Sequence, residues 1–98
     1  MASKFAAVTK SPLTGGITSS YCSGGFGFEL KYCGYDGLVV RGRSPRPVYL
    51  FIDGADVRVR DASRFWGMDA LAVQEAIKRE LGDCSVRVAA IGPAGERL

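Results

Sequence analysis

Val48-Tyr49-Leu50-Phe51-Ile52-Asp53-Gly54-Ala55-Asp56-Val57-Arg58-Val59-Arg60 is the stretch that decides how this 98-residue chain folds. Its first half is β-branched and aromatic, residue types that fit a pleated, half-buried surface. Asp53-Gly54 is a turn signal, since glycine reaches positive φ without steric cost. Beyond the turn, apolar and charged residues alternate with a period of two. Two strands about an Asp-Gly turn make a hairpin. The alternation predicts Val57 and Val59 toward a core and Arg58 and Arg60 toward water.

Working outward toward the C-terminus, Asp69 is placed to cap a helix running to Leu81. Ala70, Val73, Ile77 and Leu81 form its apolar stripe. Glu75 and Arg79 stand four apart in the favourable order, and Gly82 ends the helix. Ser85 to Ile91 then predicts a last strand, stopped by Gly92-Pro93. Toward the N-terminus, Asp36-Gly37 is a turn and Leu38-Val39-Val40 predicts a buried strand. Phe26, Leu30 and Cys33 recur at helical spacing, with Gly34 suited to close a short helix. Phe5 to Thr9 and Ile17 to Tyr21 read as two strands around the turn Ser11-Pro12-Leu13-Thr14-Gly15-Gly16. The expected fold class is therefore α+β, with a largely antiparallel or mixed sheet, one short and one longer α-helix, in a single domain over 1–98. Met1-Ala2-Ser3 reads as a cloning remnant.

Composition narrows the function classes. Hydrophobic residues make up 47% and charged residues 23%, which suits a packed domain rather than a disordered one. The net charge is +3, and Arg41, Arg43 and Arg46 form only a short proline-containing loop. Nucleic-acid binding would call for a denser basic stripe with interleaved aromatics, so no nucleic-acid partner is expected. No apolar run approaches the roughly 20 residues that cross a bilayer, and no membrane partner is expected. Cys22, Cys33 and Cys84 are odd in number and widely spaced, and there is no histidine. Zinc or iron–sulfur sites of ordinary spacing and imidazole-based catalysis are thereby disfavoured. Free thiols point to a reducing, cytoplasmic setting.

Ser23-Gly24-Gly25-Phe26-Gly27 is the stretch with most chemical interest. Glycines before a helix let backbone N–H groups approach an anion, and the helix dipole favours negative charge there. The pattern is neither a dinucleotide fingerprint nor a P-loop, and a simple tight turn is the alternative. Asp53, Asp56, Asp61 and Asp69 sit in turns or at a helix start, where aspartate is favoured for local hydrogen bonding. Trp66 suits either ligand stacking or cover for a core edge. Cys22, beside the glycines, is either an activated or an ordinary thiol.

Several segments resemble, in order, the N-terminal domain of the aldehyde:ferredoxin oxidoreductase family. They are Val8 to Gly15, the glycine loop running into Glu29-Leu30-Lys31, Gly34-Tyr35-Asp36-Gly37-Leu38-Val39-Val40, Arg46-Pro47-Val48-Tyr49, Asp61-Ala62-Ser63 before Trp66-Gly67, and Ile91 to Glu96. The resemblance implies a fragment of an enzyme that oxidises aldehydes to carboxylic acids and passes electrons to ferredoxin. Its parent family binds tungsten, or molybdenum, between two pterins, with magnesium bridging their phosphates and an iron–sulfur cluster nearby. By the resemblance, Lys4, Tyr21, Cys22, Ser23, Gly24 and Gly25 belong to a pterin-phosphate site, and the Tyr21 backbone carbonyl reaches the magnesium.

Residue by residue, the likeness carries departures. The family's Asn in an Asn-Ser-Gly-Gly-type stretch falls on Tyr21 or, aligned on the glycines, on Cys22. Its Arg before the first strand falls on Lys4, which meets a phosphate as a point charge without a bidentate fork. The implied fragment lacks the second pterin-contacting stretch and the cluster cysteines. It is expected to hold no cofactor, to have no catalytic residue, and to be inactive alone. A stand-alone, non-catalytic binding module that keeps the fold is the alternative. Exposed strand edges predict a homo-oligomer, unless the remaining domains of the parent enzyme cover them.

Overall fold

The computed structural model describes residues 4–97, so the reading of Met1-Ala2-Ser3 falls outside the described residues. Strand β1 (Lys4–Lys10) pairs antiparallel with β2 (Ile17–Ser23), each reaching further than its apolar centre suggested. Their connection is closed locally. Ser11 N–H donates to the Gly16 carbonyl at 2.7 Å, and the Ser11 hydroxyl accepts from the Leu13 and Thr14 amides at 3.2 Å each.

Helix α1 (Gly25–Tyr32) starts immediately after this hairpin. At its far end Gly34 has φ 95°, its amide donates to Lys31 and the Tyr35 amide reaches back to Leu30. That is a Schellman closure of the helix's orphan carbonyls. Phe26 packs on Phe5 with ring centroids 4.9 Å apart. A Cβ on Gly27 would lie 3.1 Å from the Lys4 carbonyl oxygen, so α1 crosses β1 at glycine distance.

Strands β3 (Val48–Asp53) and β4 (Asp56–Asp61) form the expected antiparallel hairpin, turning at Gly54 with φ 58°. Its facing departs from expectation at three of the four positions, Arg58 alone being exposed as expected. Val57 and Val59 are exposed, whereas Arg60 is half-buried with its guanidinium 4.5 Å over the Phe51 ring. The register explains this, because Tyr49 pairs with Arg60 and Phe51 with Arg58. Rings bury more area than valines, and arginine stems cover apolar surface while their heads stay wet. The aromatic face therefore turns inward and the Leu50–Val59 face is left uncovered.

Helix α2 (Ala70–Leu81) is bounded as its sequence predicts. Asp69 Oδ1 accepts from the Ala72 amide at 2.8 Å, and Gly82 closes the helix at φ 67°. Val73 and Ile77 are buried with Phe65, from a one-turn 3-10 helix at Ser63–Phe65, and form the core. Leu81 is half-buried, while Ala70 of the expected stripe is exposed. Among the described residues Glu75 and Arg79 form no ion pair; Arg64 pairs with Glu80 instead.

Two expected strands are absent. Leu38-Val39-Val40 and Ser85–Ile91 join no sheet, and Val39 and Val40 are exposed. Apolar runs become strands only where another strand satisfies their amides and carbonyls. Gly92-Pro93 does not simply stop the chain but opens a third helix, α3 (Gly92–Glu96), proline being pre-set for a first helical turn. Glu96 Oε2 anchors it by accepting from the Gly67 amide at 2.7 Å. The architecture is α+β, with two separate two-stranded antiparallel sheets among the described residues in place of a single one.

The solvent-accessible surface is 7810 Å². A closed domain of 10.5 kDa would show about 5,400 Å². The excess matches the bare faces just described. Among the described residues, no helix is long and apolar enough to cross a membrane.

Candidate functional site at the glycine turn

The β1–β2 hairpin hands the chain to α1 through Ser23 and Gly24. Gly24 has φ 114° and ψ −163°, a conformation essentially reserved for glycine, and it directs the next amides along the helix axis. Among the described residues no side chain caps α1, and its first turn holds no acidic residue. A helix start leaves up to four amides without intrahelical partners, and the macrodipole makes that end partially positive.

An open cleft of about 590 Å³ lies in front of this start. Cys22, Ser23, Gly24 and Gly25 line it, together with Arg87 and Gln74 from elsewhere in the chain. Lys4 pairs with Ser23 and Tyr21 with Ala6, so strand alternation sets both side chains on the face opposite Phe5 and Cys22. Neither Lys4 nor Tyr21 lines the cleft, and the Tyr21 ring is largely exposed. Cys22 is exposed and donates to the Ser23 carbonyl at 3.2 Å.

A second, larger cleft of about 720 Å³ opens between α1, the β3–β4 hairpin and the segment 85–91. It is lined by apolar groups such as Leu30, Leu38, Val40 and Leu50, with Trp66 among them. The unpaired apolar segments border it, so it marks the gap left where they find no sheet.

Several carboxylates have local duties. Asp56 pairs with Arg58 at 2.9 Å, Asp61 accepts from the Ser63 hydroxyl at 2.8 Å, and Asp69 caps α2. Lys31 donates to Asp36 and, with its charge, holds that carboxyl below the usual carboxylate range. The Ser85 hydroxyl and amide do the same for Asp83. Among the described residues no three His, Cys, Asp or Glu side chains converge on a point.

Arg87 is the residue that sequence reasoning missed. Alternation in Val86-Arg87-Val88 marks it only as a solvent-facing position on a strand. Nothing in the sequence signals that it would meet Gly25, far away along the chain.

Comparison with known proteins adds the family. The family model of the aldehyde ferredoxin oxidoreductase N-terminal domain matches residues 1–98. The chain is 46% identical over 95 residues to the tungsten-containing aldehyde ferredoxin oxidoreductase of Pyrococcus furiosus. That match covers 97% of this chain and 16% of the relative. It is 47% identical over 95 residues to the enzyme of the same description in Thermococcus kodakarensis, again 97% of this chain and 16% of the relative. It is also 41% identical over 78 residues, 80% of this chain and 12% of the relative, to the WOR-like subunit of an aliphatic sulfonate oxidoreductase from Pyrococcus furiosus. The chain thus spans a small part of the length of the relatives it matches. On the match of its whole length, it belongs to the aldehyde ferredoxin oxidoreductase N-terminal domain family.

Proposed function

We propose that this chain is a piece of a tungsten–pterin aldehyde oxidoreductase that supplies part of a pterin-phosphate site and does not catalyse alone. The observation that carries the reading is the start of α1. It follows Gly24 in a glycine-only conformation and, among the described residues, receives no side-chain cap and has no carboxylate in its first turn. A phosphate is the ligand such a donor set fits, through backbone amides and a favourable dipole. Cationic Arg87 in the same cleft adds to that fit.

In the whole enzyme the bound tungsten–pterin group would supply the two-electron oxidation of an aldehyde to a carboxylic acid, with electrons leaving for ferredoxin. This chain's part is to bind and orient. Ser23, Gly24 and Gly25 are the proposed phosphate contacts, with Cys22 at the rim. The Tyr21 carbonyl is the proposed magnesium contact, which a change of side chain leaves intact. Lys4 does not line the cleft and is assigned to the phosphate by family likeness alone, as a charge acting at longer range. The free thiols Cys22, Cys33 and Cys84 fit a reducing cytoplasm.

Inactivity alone is proposed from coverage, because the matched relatives are several times longer than this chain. The test is to purify the chain, measure tungsten and pterin, and assay aldehyde-dependent reduction of a dye. Neither cofactor nor turnover is expected. Stoichiometric tungsten and pterin on the purified chain would show the site to be complete here and overturn the reading.

A further inference from the structure

One face of the β3–β4 hairpin is almost wholly aliphatic. The register sets Val48 opposite Asp61, Leu50 opposite Val59 and Ile52 opposite Val57, and a period of two puts these side chains on the same side. Asp61, at the far end, is the single charged group among them, and its carboxylate accepts from the Ser63 hydroxyl. The arginines of the hairpin belong to the other face, where Arg58 pairs with Asp56 and Arg60 covers Phe51. Val48, Leu50, Val57 and Val59 are exposed. Val48, Leu50 and Ile52 also line the larger cleft with Leu38 and Val40, so the apolar surface continues beyond the hairpin.

A two-stranded sheet with a bare apolar face is marginal in water. Area sets what can cover it. The surface of the chain exceeds that of a closed domain of its mass by about 2,400 Å². A stable interface takes about 800 Å² from each partner, so the excess is more than a dimer contact needs. Charge sets which partner fits. A face with no charged side chain at its centre offers an oppositely charged surface nothing to read, but it complements itself. Turned about a two-fold axis, Leu50 and Val59 of one copy meet the same residues of another, and no charge is buried. Two such sheets stack at about 10 Å, the spacing of a β-sandwich.

We infer that the Leu50–Val59 face is an isologous interface, on which a second copy of this chain packs face to face to close a two-fold dimer. Closure distinguishes this contact from pairing at strand edges, which adds copies without limit. The interface is independent of the phosphate reading, because it involves the second hairpin and not the glycine turn.

The test is sedimentation equilibrium of the 98-residue chain over a range of concentrations, with methyl NMR on the same samples. The mass should rise from one copy to two and stop there. Methyl shifts of Leu50, Val57 and Val59 should follow the same concentration dependence, while those of Val8 and Ile17 on the first hairpin stay fixed. Val59 is 65% exposed, so V59K leaves the monomer folded. It should weaken the dimer at least about tenfold, since a lysine forced into apolar contact is costly. Mass growing past two copies, or shifts at Val8 and Ile17 instead, would mean association through strand edges and overturn the inference. A dimer that V59K leaves intact places the contact elsewhere, with the same consequence. A monomer at every concentration overturns it as well and leaves the face to a different chain.

Discussion

Tyr49 and Glu80 tie the second hairpin to α2: the tyrosine hydroxyl donates to Glu80 Oε2 at 3.4 Å while its ring lies 6.1 Å, edge-on, from Phe65. Arg64 takes the other oxygen of the same carboxylate and stacks over Phe65 at 5.1 Å. Polar and apolar contacts thus converge where β3, the 3-10 turn and α2 meet. Glu80→Gln is expected to lower stability by about 0.5–1 kcal/mol, since the pair is partly exposed and screened. Tyr49→Phe should cost less. Urea unfolding of both variants measures this, and an unchanged midpoint for Glu80→Gln would remove the carboxylate from the account.

The core is small enough for one side chain to matter. Among the described residues Phe65, Val73 and Ile77 are the buried hydrophobic ones, with Tyr49, Met68, Leu81 and Val88 around them. Ile77→Ala should destabilise by about 2–4 kcal/mol through lost transfer energy and a residual cavity. For a chain with so much surface left bare, that loss is expected to abolish cooperative thermal unfolding, as calorimetry would register.

Backbone conformation makes a separate prediction at the glycine turn. Gly24→Ala forces a Cβ into a region that essentially only glycine occupies, at a cost of about 1–3 kcal/mol. Asp69→Ala, which removes the α2 cap, should cost about 1 kcal/mol. Circular dichroism melts distinguish the two variants from wild type. Gly24→Ala matching wild type would mean that the turn takes another conformation in solution.

Asp83 gives a pH dependence whose sign follows from its partners. The Ser85 hydroxyl and amide stabilise the charged carboxylate, so its folded pKa lies below the unfolded value of about 3.9. A depressed carboxylate contributes stability above the unfolded value and loses it as pH falls through the folded one. Wild type should therefore exceed Asp83→Asn in stability at neutral pH, with the gap closing below about pH 4. A gap that is the same at pH 3 and pH 7 would contradict this.

The uncovered faces predict association. Leu50, Val57 and Val59 present an exposed apolar patch on the second hairpin, and no strand among the described residues pairs with either outer edge of the first hairpin. Sedimentation of the isolated chain should show a concentration-dependent oligomer, which Val59→Lys weakens. A monomer at all concentrations would place these faces in water at no cost.

Much of the chain is legible one element at a time. The caps at Asp69 and Gly82, the Schellman glycine Gly34 and the Asp53-Gly54 turn each act within a few residues, so sequence spacing reveals them. The glycine turn before α1 is visible for the same reason. Leu38–Val40 and Ser85–Ile91 show the limit, because their composition records a strand's apolar character but not whether a partner edge is present. The facing of the β3–β4 hairpin was equally beyond reach. Period two gives two faces, and only competition between the Tyr49–Phe51 rings and the Val57–Val59 side chains for the core chooses between them.

By itself, then, the sequence determined the α+β class, the limits of α2 and the close of α1, the turns and the family, all through short-range chemistry or direct likeness along the chain. Tertiary structure alone decided which hairpin face is covered, that two apolar segments stay unpaired, and that Arg87 rests against Gly25. Those outcomes depend on contacts between residues far apart in the chain, where packing and the pairing of backbone groups select among arrangements that local preferences leave equal.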